Sequence, residues 1–311
     1  MDLKQLESFV RVAELGSFTR AGMALGIPQP LLSRHVRQLE VELRQNLLDR
    51  NGRGVTLTEA GRVLLEHARG ILHQVEVAQE DLGAVRGALG GRVSIGLPPS
   101  LSKLITVPLC QAFKQKLPGA HLTLTEGFSL QMYESLRSGR LDMAVMYNPT
   151  LTPELETAAL HEESLMLIGS PAATQAHKLK SKSSLSLAQI AQLPLILPSP
   201  PNAFRLLIES EMQSIQVRPQ VSLEVDGLNA ILELVRVGLG FAVLPPYTLS
   251  GQGPDQSFSL HRIGPPRLMS QLKLAWSSRR QLTPTHQAAI AITRERVSAA
   301  LQGFIQGMKG L

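Results

Sequence analysis

A run of apolar residues with a heptad period restricts the fold of this chain more than any other feature. It extends from Leu57 to Val85 in alternating steps of four and three, as a coiled-coil seam does. Its members are Leu57, Gly61, Leu64, Ala68, Ile71, Val75, Ala78, Leu82 and Val85. We predict one long helix over residues 58–88 that pairs with a second copy of the chain. The alternative is a long surface helix that packs this face on its own domain.

The segment before the heptads has the pattern of short helices separated by tight turns. Apolar residues recur at helical spacing from Leu3 to Ala13, and Gly16 predicts the end of that helix. Ser17 is a suitable N-cap for a second helix, which Gly26 closes. The third helix follows a proline and buries Leu32, Val36, Leu39 and Leu43. Two helices joined by such a turn predict a helix-turn-helix.

A hairpin is predicted directly after the third helix. The segment LLDRNGRGVTLT has an Asn51-Gly52 turn between two short runs that can pair. This hairpin would be a wing with Arg50 and Arg53 near its tip, so we assign residues 1–57 to a winged helix-turn-helix. Thr56 and Glu59 have the spacing of a capping box at the start of the long helix, and Thr58 is a second candidate cap.

The remainder of the chain has an α/β pattern. After the hinge predicted by Gly83, Gly87, Gly90 and Gly91, short strand-like runs such as VSIGL, LDMAVMY and GFAVLP alternate with helical segments. The helical segments are Ser102–Lys116, Leu130–Ser138, Ala203–Ser214 and Leu228–Val237. We therefore predict an α/β fold class overall, with mostly parallel sheets flanked by helices. About 220 residues are more than one such core usually needs, which favours two linked subdomains.

The distribution of charge does not by itself indicate a nucleic-acid partner. The formal net charge of the 311 residues is +6. Residues 1–90 hold eleven Lys or Arg and eleven Asp or Glu, whereas residues 262–311 hold eight basic residues and a single acid, Glu295. The excess charge therefore lies far from the helix-turn-helix, and a DNA-binding function depends on where individual side chains point.

Several function classes find no support in the sequence. No run reaches the about 18 apolar residues that span a bilayer, and Asp2 and Glu7 interrupt the N-terminal stretch where a secretion signal is apolar. We expect a cytoplasmic protein with no membrane partner.

The single cysteine, Cys110, lies among apolar residues and is expected to be buried. We find no phosphate-binding loop, GxSxG elbow or metal-ligand spacing, and read His35 and His161 as surface residues. No enzyme activity, cofactor or metal is predicted.

The first ninety residues carry a specific family resemblance. The segment LKQLESFVRVAELGSFTRAGMALGIPQPLLSRHVRQLEVEL, followed by LLDRNGRGVTLTEAGRVLLEHA, resembles the DNA-binding end of LysR-type transcriptional regulators. RVSIGL, SGRLDMAVMY and VRVGLGFAVLP resemble the nitrogen-assimilation-control branch of that family. The resemblance implies a homodimer, or a homotetramer built as a dimer of dimers. It also implies an effector-binding domain at 92–311, of periplasmic-binding-protein type with two Rossmann-like lobes.

The chain would cross twice between those lobes. We place the crossings near Glu162–Ser164 and Ile263–Leu268, so that lobe I comprises residues 92–163 and 268–311 and lobe II comprises residues 164–267. Three residues depart from the family pattern in the helix-turn-helix. Arg44 stands where a helix-ending glycine is usual, Gly22 replaces an alanine, and Leu31 replaces a small residue.

The resemblance and the chemistry of base recognition together give candidate DNA contacts. Gln29 is suited to adenine, Arg34 to guanine, Ser33 to a base or a phosphate, and Pro30 to a thymine methyl. Arg37 is placed for phosphate and Arg53 for the adjacent backbone or minor groove. For Arg37 and Arg50 the alternative is a solvent-exposed side chain, with Arg50 paired to Asp49 or Glu42.

Candidate effector contacts lie where strands pass into helices. Ser100 and Ser129 resemble the hydroxyl positions that contact effector in the family, and helix N-termini there would bind an anion. The alternative for each serine is an ordinary N-cap. Asn202 and Phe204 are the candidates from the other lobe, and Met146 and Tyr147 those for the cleft wall.

These observations predict a sequence-specific, DNA-binding transcriptional regulator controlled by a small organic, anionic effector. Its partners would be double-stranded promoter or operator DNA, that effector and further copies of itself, with RNA polymerase as an additional candidate. Two alternatives remain open at this point. A solute-binding transport protein would explain the α/β part alone, and an α/β enzyme fused to a DNA-binding domain would need a nucleophile or cofactor motif.

Overall fold

A computed structural model describes residues 1–51, 54–84, 89–150, 152–180, 184–250, 258–278 and 282–308. The chain divides into two compact units. The first holds residues 1–91 and 137–140, and the second holds residues 92–136 and 141–311. No helix within the described ranges is long and apolar enough to cross a membrane.

The first unit is a three-helix core followed by a hairpin and a long helix. Its elements are α1 (Leu3–Leu15), α2 (Phe18–Leu25), α3 (Gln29–Leu43), β1 (Leu48–Asn51), β2 (Gly54–Leu57) and α4 (Glu59–Ala84). Asp2 and Gln5 form a reciprocal capping box at the start of α1. The apolar faces of the helices meet in one cluster that includes Leu6, Phe9, Val12, Leu32, Val36 and Leu39.

Helix α4 uses its two halves differently. Thr58 caps it, because the Thr58 Oγ1 accepts from the amide of Gly61 at 3.0 Å, while Thr56 lies within β2. Leu65 and Ala68 are buried in the core of the unit, and Leu64 packs against that core. Farther along, Leu82 is 74% exposed. The predicted seam therefore starts as an intramolecular core face, and two of its later residues, Ile71 and Leu82, are exposed.

The second unit is built from two mixed sheets and the helices around them. Its elements are β3 (Gly90–Leu97), α5 (Pro99–Lys116), β4 (Gly119–Glu126), α6 (Ser129–Arg137), β5 (Met143–Tyr147), β6 (Leu155–Ser164), β7 (Met166–Gly169), α7 (Pro171–Ala176), β8 (Ser184–Leu185), α8 (Leu187–Ile190), β9 (Leu195–Leu197), α9 (Ala203–Ser214), β10 (Val221–Glu224), α10 (Leu228–Arg236), β11 (Ala242–Leu244), a 3-10 turn (Pro246–Leu249), β12 (Ser259–Ile263), β13 (Met269–Ser277) and α11 (Pro284–Met308).

Among the described residues, the first sheet has the strand order β4-β3-β5-β13-β6 and the second has β11-β7-β12-β8. Strands β9 and β10 form a parallel pair that a bridge from Leu195 to Phe241 attaches to the second sheet. We call the first sheet with α5, α6 and α11 lobe I, and the second sheet with α7 to α10 lobe II.

The expectation of mostly parallel sheets was wrong. Strand β13 is antiparallel to both β5 and β6, and β7 is antiparallel to both β11 and β12. The reason is that β6 continues almost directly into β7, and β12 into β13, without a crossover helix. Strands that pass straight from one sheet to the other return in the opposite direction and pair antiparallel.

The two passages between the lobes lie side by side. The chain leaves the first sheet at Ser164 and enters the second at Met166, then returns between Ile263 and Met269. The amide of Leu165 donates to the carbonyl of Leu268 at 2.9 Å, which joins the two passages. Both side chains are buried, so the apolar core continues through the connection.

The sequence-based expectation for Cys110 was also wrong, because its side chain is exposed. Helix α5 turns one face to the core through Leu101, Ile105, Leu109 and Phe113. Cys110 follows Leu109 by one residue, a rotation of about 100° around the helix axis, and this places the thiol on the outer face.

Candidate functional site

The first candidate surface is the outer face of α3. Gln29, Pro30, Arg34 and Arg37 are exposed, and Ser33 is half-buried. The helix begins after Pro28 without a side-chain cap, and the amides of Leu31 and Leu32 donate to the Pro28 carbonyl at 3.0 and 3.2 Å. Because Leu32, Val36 and Leu39 fix the opposite face in the core, these polar side chains project together from one side.

The wing is tied to α3 by a carboxylate. Glu40 Oε1 accepts from the amides of Leu47 and Leu48, at 2.9 and 3.2 Å, at the start of β1. Strands β1 and β2 pair antiparallel, with Leu48 opposite Leu57. Gly52 and Arg53, together with the side chain of Arg50, lie outside the described residues, so the proposed contacts of the wing stay predictions.

His35 is not the surface residue that the sequence suggested. Its Nδ1 lies 2.9 Å from the Oγ of Ser8, a buried residue of α1. His35 is half-buried and joins α3 to α1 on the side away from Arg34 and Arg37. It therefore fixes α3 against α1 and has a structural function.

The second candidate site is a cavity of about 40 Å³ inside the second unit. The structure brings together in its lining five of the residues singled out in the sequence, namely Ser100, Ser129, Tyr147, Asn202 and Phe204. The remaining lining residues are Pro98, Pro99, Phe128, Pro198, Ala203, Leu228, Ile231 and Leu244. Residues of both lobes therefore enclose it.

Met146 does not belong to this lining. Successive side chains of a strand point to opposite faces, and Tyr147 occupies the cavity side of β5. Met146 is buried on the other face in a separate apolar cluster with Met132, Leu136 and Ala144. We therefore withdraw it from the candidate effector contacts.

Helices that start at the cavity determine its polarity. Helix α5 begins after Pro98 without a side-chain cap, and Ser100 lies in its first turn. Helix α10 begins after Gly227, also without a side-chain cap. The positive ends of these helices point at the cavity.

Ser129 and Asn202 are engaged with backbone groups. The Ser129 hydroxyl donates to the Tyr147 carbonyl at 3.2 Å and accepts from the Tyr147 amide at 3.1 Å. The Asn202 Oδ1 accepts from the amides of Phe204 and Arg205, which caps α9. Within the described residues no partner is found for the Asn202 Nδ2, so this amide group is free to donate to a ligand.

The rest of the lining is apolar. None of the lining residues is charged, and the rings of Tyr147 and Phe204 are in tilted contact, with centroids 4.5 Å apart and an interplanar angle of 47°. Because Tyr147 belongs to lobe I and Phe204 to lobe II, this contact joins the two lobes at the cavity wall. A ligand here would be bound by hydroxyl and amide donors and by helix ends, without a cationic side chain.

A buried polar chain that the sequence did not suggest leads away from the cavity. The Ser100 Oγ lies 2.8 Å from the Tyr147 hydroxyl, which contacts the Tyr247 hydroxyl, which donates to Glu163 Oε1 at 2.9 Å. Burial raises the pKa of Glu163 to about 7 and also raises the pKa of both tyrosines. The sequence signal that could have indicated this polar chain is Tyr247, one of only three tyrosines, which lies just after the GFAVLP strand.

Metal binding finds no support in the geometry. Among the residues that the structure describes, no group of three or more His, Cys, Asp or Glu side chains is placed to hold a metal ion.

Comparison with known proteins also separates an N-terminal from a C-terminal domain. Residues 3–62 match the family described as bacterial regulatory helix-turn-helix protein, lysR family, and residues 86–298 match the LysR substrate binding domain. The nitrogen assimilation regulatory protein nac of Escherichia coli (strain K12) is 34% identical over 300 residues, which cover 96% of each chain. The protein of that name in Klebsiella aerogenes is 33% identical over 299 residues, again 96% of each chain.

A solved structure agrees with the fold. The crystal structure of CbnR, a LysR family transcriptional regulator, matches with a TM-score of 0.72 at 24% identity and covers 96% of this chain and 99% of that chain. The chain belongs to the LysR family of transcriptional regulators, in its Nac-like branch. It is a DNA-binding regulator with an effector-binding domain, and it is not an enzyme. The two alternative interpretations fail because the relatives are regulators over nearly their whole length.

Proposed function

We propose that the outer face of α3 reads operator DNA in the major groove. The observation that carries this proposal is the grouping of Gln29, Pro30, Arg34 and Arg37 on one exposed face with an uncapped helix start. Gln29 and Arg34 would read bases, Ser33 a base or a phosphate, and Arg37 the phosphate backbone. Arg50 and Arg53 stay proposed contacts of the wing.

Two arginine variants test this assignment. Arg34→Ala removes a bidentate contact to a base, so specific operator binding should weaken by about 1–3 kcal/mol with relaxed preference at one base pair in each half-site. Arg37→Ala is the matched control on the same face and should weaken all sequences about equally. Fluorescence anisotropy on DNA from upstream of the protein's own gene, with single base changes, separates the two outcomes. Unchanged operator affinity in Arg34→Ala would contradict the assignment of α3.

We infer that the cavity between the lobes binds a small organic anion. Support comes from the helix starts at its wall, the Ser100 hydroxyl and the free Asn202 amide group. Because the cavity is small, an effector larger than a few atoms would have to displace lining side chains, such as the contacting rings of Tyr147 and Phe204. Effector binding would then favour one arrangement of the lobes over another, which is the differential affinity that regulation requires.

The proposed assembly is a homodimer joined by the second half of α4, with a tetramer as a dimer of dimers. Two copies are needed because one helix-turn-helix reads only one half-site. We place the protein in the cytoplasm because its proposed target is chromosomal DNA, and RNA polymerase bound at the same promoter is a further proposed partner. A thermal-shift screen of small organic acids and nitrogen metabolites against the full chain tests the effector proposal.

A further inference from the structure

Four polar groups in line connect the proposed effector cavity to the passage between the lobes. In order they are the hydroxyls of Ser100, Tyr147 and Tyr247 and the carboxyl of Glu163. All four residues are buried, with between 2% and 7% of their surface exposed. No described group other than these four completes a hydrogen bond to any of the three hydroxyls.

Each hydroxyl has one proton, so the chain has a direction. When Glu163 is ionised it can only accept, so Tyr247 donates to Glu163, Tyr147 donates to Tyr247, and Ser100 donates to Tyr147. The Ser100 proton is then donated to Tyr147, so the Ser100 oxygen presents only lone pairs to the cavity. Lone pairs repel an anion and suit a ligand that donates.

Protonation of Glu163 reverses this order. Glu163 Oε2 is buried and has no hydrogen-bond partner among the described residues, so the acidic proton finds its acceptor only through Oε1, on Tyr247. Tyr247 then donates to Tyr147, Tyr147 donates to Ser100, and the Ser100 proton turns into the cavity. The hydroxyl protons rotate and none is transferred, and one proton enters from solvent at Glu163.

We propose that Glu163 and Tyr247 couple anion binding at Ser100 to the uptake of one proton at Glu163. The proposal rests on the proposed anion-binding function of the cavity. Glu163 lies in β6 at the passage between the lobes. Through the buried hydroxyls, its protonation state would determine whether the Ser100 proton points into the cavity.

The surroundings of Glu163 are compatible with a titratable group. The lining of the cavity beside it includes His161 and Glu162 from β6, Arg262 from β12 and Arg267 from the returning passage. The residues of α11 on that side, Leu301, Phe304 and Ile305, are apolar, and Ser270 of β13 lies opposite Glu163 in register. Neither arginine forms an ion pair with Glu163 in the described structure. Burial therefore raises its pKa to about 7, against the opposing hydrogen bond from Tyr247.

The expected consequence is a loss of anion affinity at alkaline pH. With a free-state pKa of about 7 for Glu163, affinity should be nearly constant below that pKa and fall about tenfold per pH unit above it. Between pH 6 and pH 8.5 this amounts to a decrease of about thirtyfold. Binding should also take up close to one proton at the alkaline end.

Acetate is the probe, because it is a small carboxylate that stays ionised over this range. We would measure acetate binding to the full chain by calorimetry at pH 6 and pH 8.5, in buffers of different ionisation enthalpy to count protons. Glu163→Gln cannot titrate, so its acetate affinity should be equal at both pH values. Ser100→Ala should lose most of the affinity at both.

Tyr247→Phe separates the hydroxyl chain from simple charge repulsion. This variant keeps the carboxyl of Glu163 and its charge but interrupts the chain, so the pH dependence of acetate binding should disappear. If it persisted, Glu163 would act on the anion through space and the proposed coupling would be wrong. Equal acetate affinity at both pH values in the unmodified chain would overturn the coupling and leave the anion site intact. Failure of acetate and of every acid in the screen to bind at either pH would overturn the anion site itself.

Discussion

Gly22, one of the departures from the family pattern, has a packing reason that the sequence could not reveal. From the sequence, a glycine inside α2 should soften the helix, and alanine should stabilise it if the position were exposed. The structure buries Gly22 against the turn that follows, where an added methyl group would stand 2.8 Å from the Ile27 carbonyl oxygen. At Gly22, helix α2 therefore packs more closely on the following turn than an alanine at this position would allow.

We expect Gly22→Ala to destabilise the first unit by about 1–3 kcal/mol, because the methyl group forces the backbone of the turn apart. Chemical denaturation followed by circular dichroism measures the change. Ala24→Gly, at an exposed position of the same helix, is the control, and there the glycine should be the less stable residue by about 1 kcal/mol. A stabilising Gly22→Ala would mean that the turn relaxes freely.

Arg44 raises the opposite question, since here a side chain stands where glycine would fit. It caps the end of α3 in the left-handed conformation, with φ of 53°, and its amide donates to the carbonyls of Glu40 and Val41. This conformation is strained for a residue with a Cβ.

Arg44→Gly should therefore stabilise the fold by about 0.5–1 kcal/mol. Arg44→Ala removes the same exposed side chain but keeps the strain, so it should bring no such gain in the denaturation midpoint.

At the scale of single elements, α4 marks the limit of what periodicity can predict. The heptads correctly predicted one long helix, and the fold class is confirmed. They could not distinguish the first turns, where Leu64 and Ala68 contact the core of their own unit, from the later turns, where Ile71 and Leu82 are exposed. Both environments demand apolar side chains on the same stripe, so one period serves an intramolecular and a proposed intermolecular contact.

The structure therefore changes which variant tests dimerisation. A charge at Leu64 would disturb the core of the helix-turn-helix, whereas Leu82→Glu alters only the exposed half of the seam. We expect Leu82→Glu to weaken self-association strongly, because it places a charge in an apolar interface. Val63→Glu is the control, since Val63 is 59% exposed on the same helix but outside the seam. Sedimentation velocity should show dissociation for Leu82→Glu alone, and an unchanged assembly would show that the stripe has another function.

The sheets were predicted less well than the helices for a related reason. Short apolar runs such as those of β7 and β11 indicate buried strands but do not give their direction. The alternation of strands and helices favoured parallel pairing, and this rule fails where β6 passes into β7 and β12 into β13 without a helix between them. The sequence did place a passage at Glu162–Ser164, but it could not show that Glu163 is buried there and accepts a hydrogen bond from Tyr247, which lies 84 residues farther along the chain.

At the scale of the whole molecule, regulation requires that a signal at the proposed cavity reach the DNA-binding unit while the ability to bind DNA is preserved. From sequence, Ser100 and Ser129 were equivalent, since each begins a helix after a strand. In the structure their chemistry differs, because the Ser129 proton is already donated to the Tyr147 carbonyl, whereas the Ser100 hydroxyl has, among the described residues, the Tyr147 hydroxyl as its single hydrogen-bond partner. Local pattern placed both serines at the cavity, but only the hydrogen bonds distinguish a candidate ligand contact from a structural one.

We therefore expect the two serine variants to separate. Ser100→Ala should abolish the effect of an effector found in the screen on operator affinity, while basal operator binding stays within about twofold, because α3 lies in the other unit. Ser129→Ala should instead lower the melting temperature, because it leaves the buried Tyr147 amide and carbonyl without their shared partner. It should retain a response at temperatures where the fold is intact. Anisotropy titrations of operator DNA with and without the effector, beside thermal melts of each variant, measure both quantities. A full response in Ser100→Ala would place the effector outside this cavity, and loss of response without loss of stability in Ser129→Ala would restore that serine as a ligand contact.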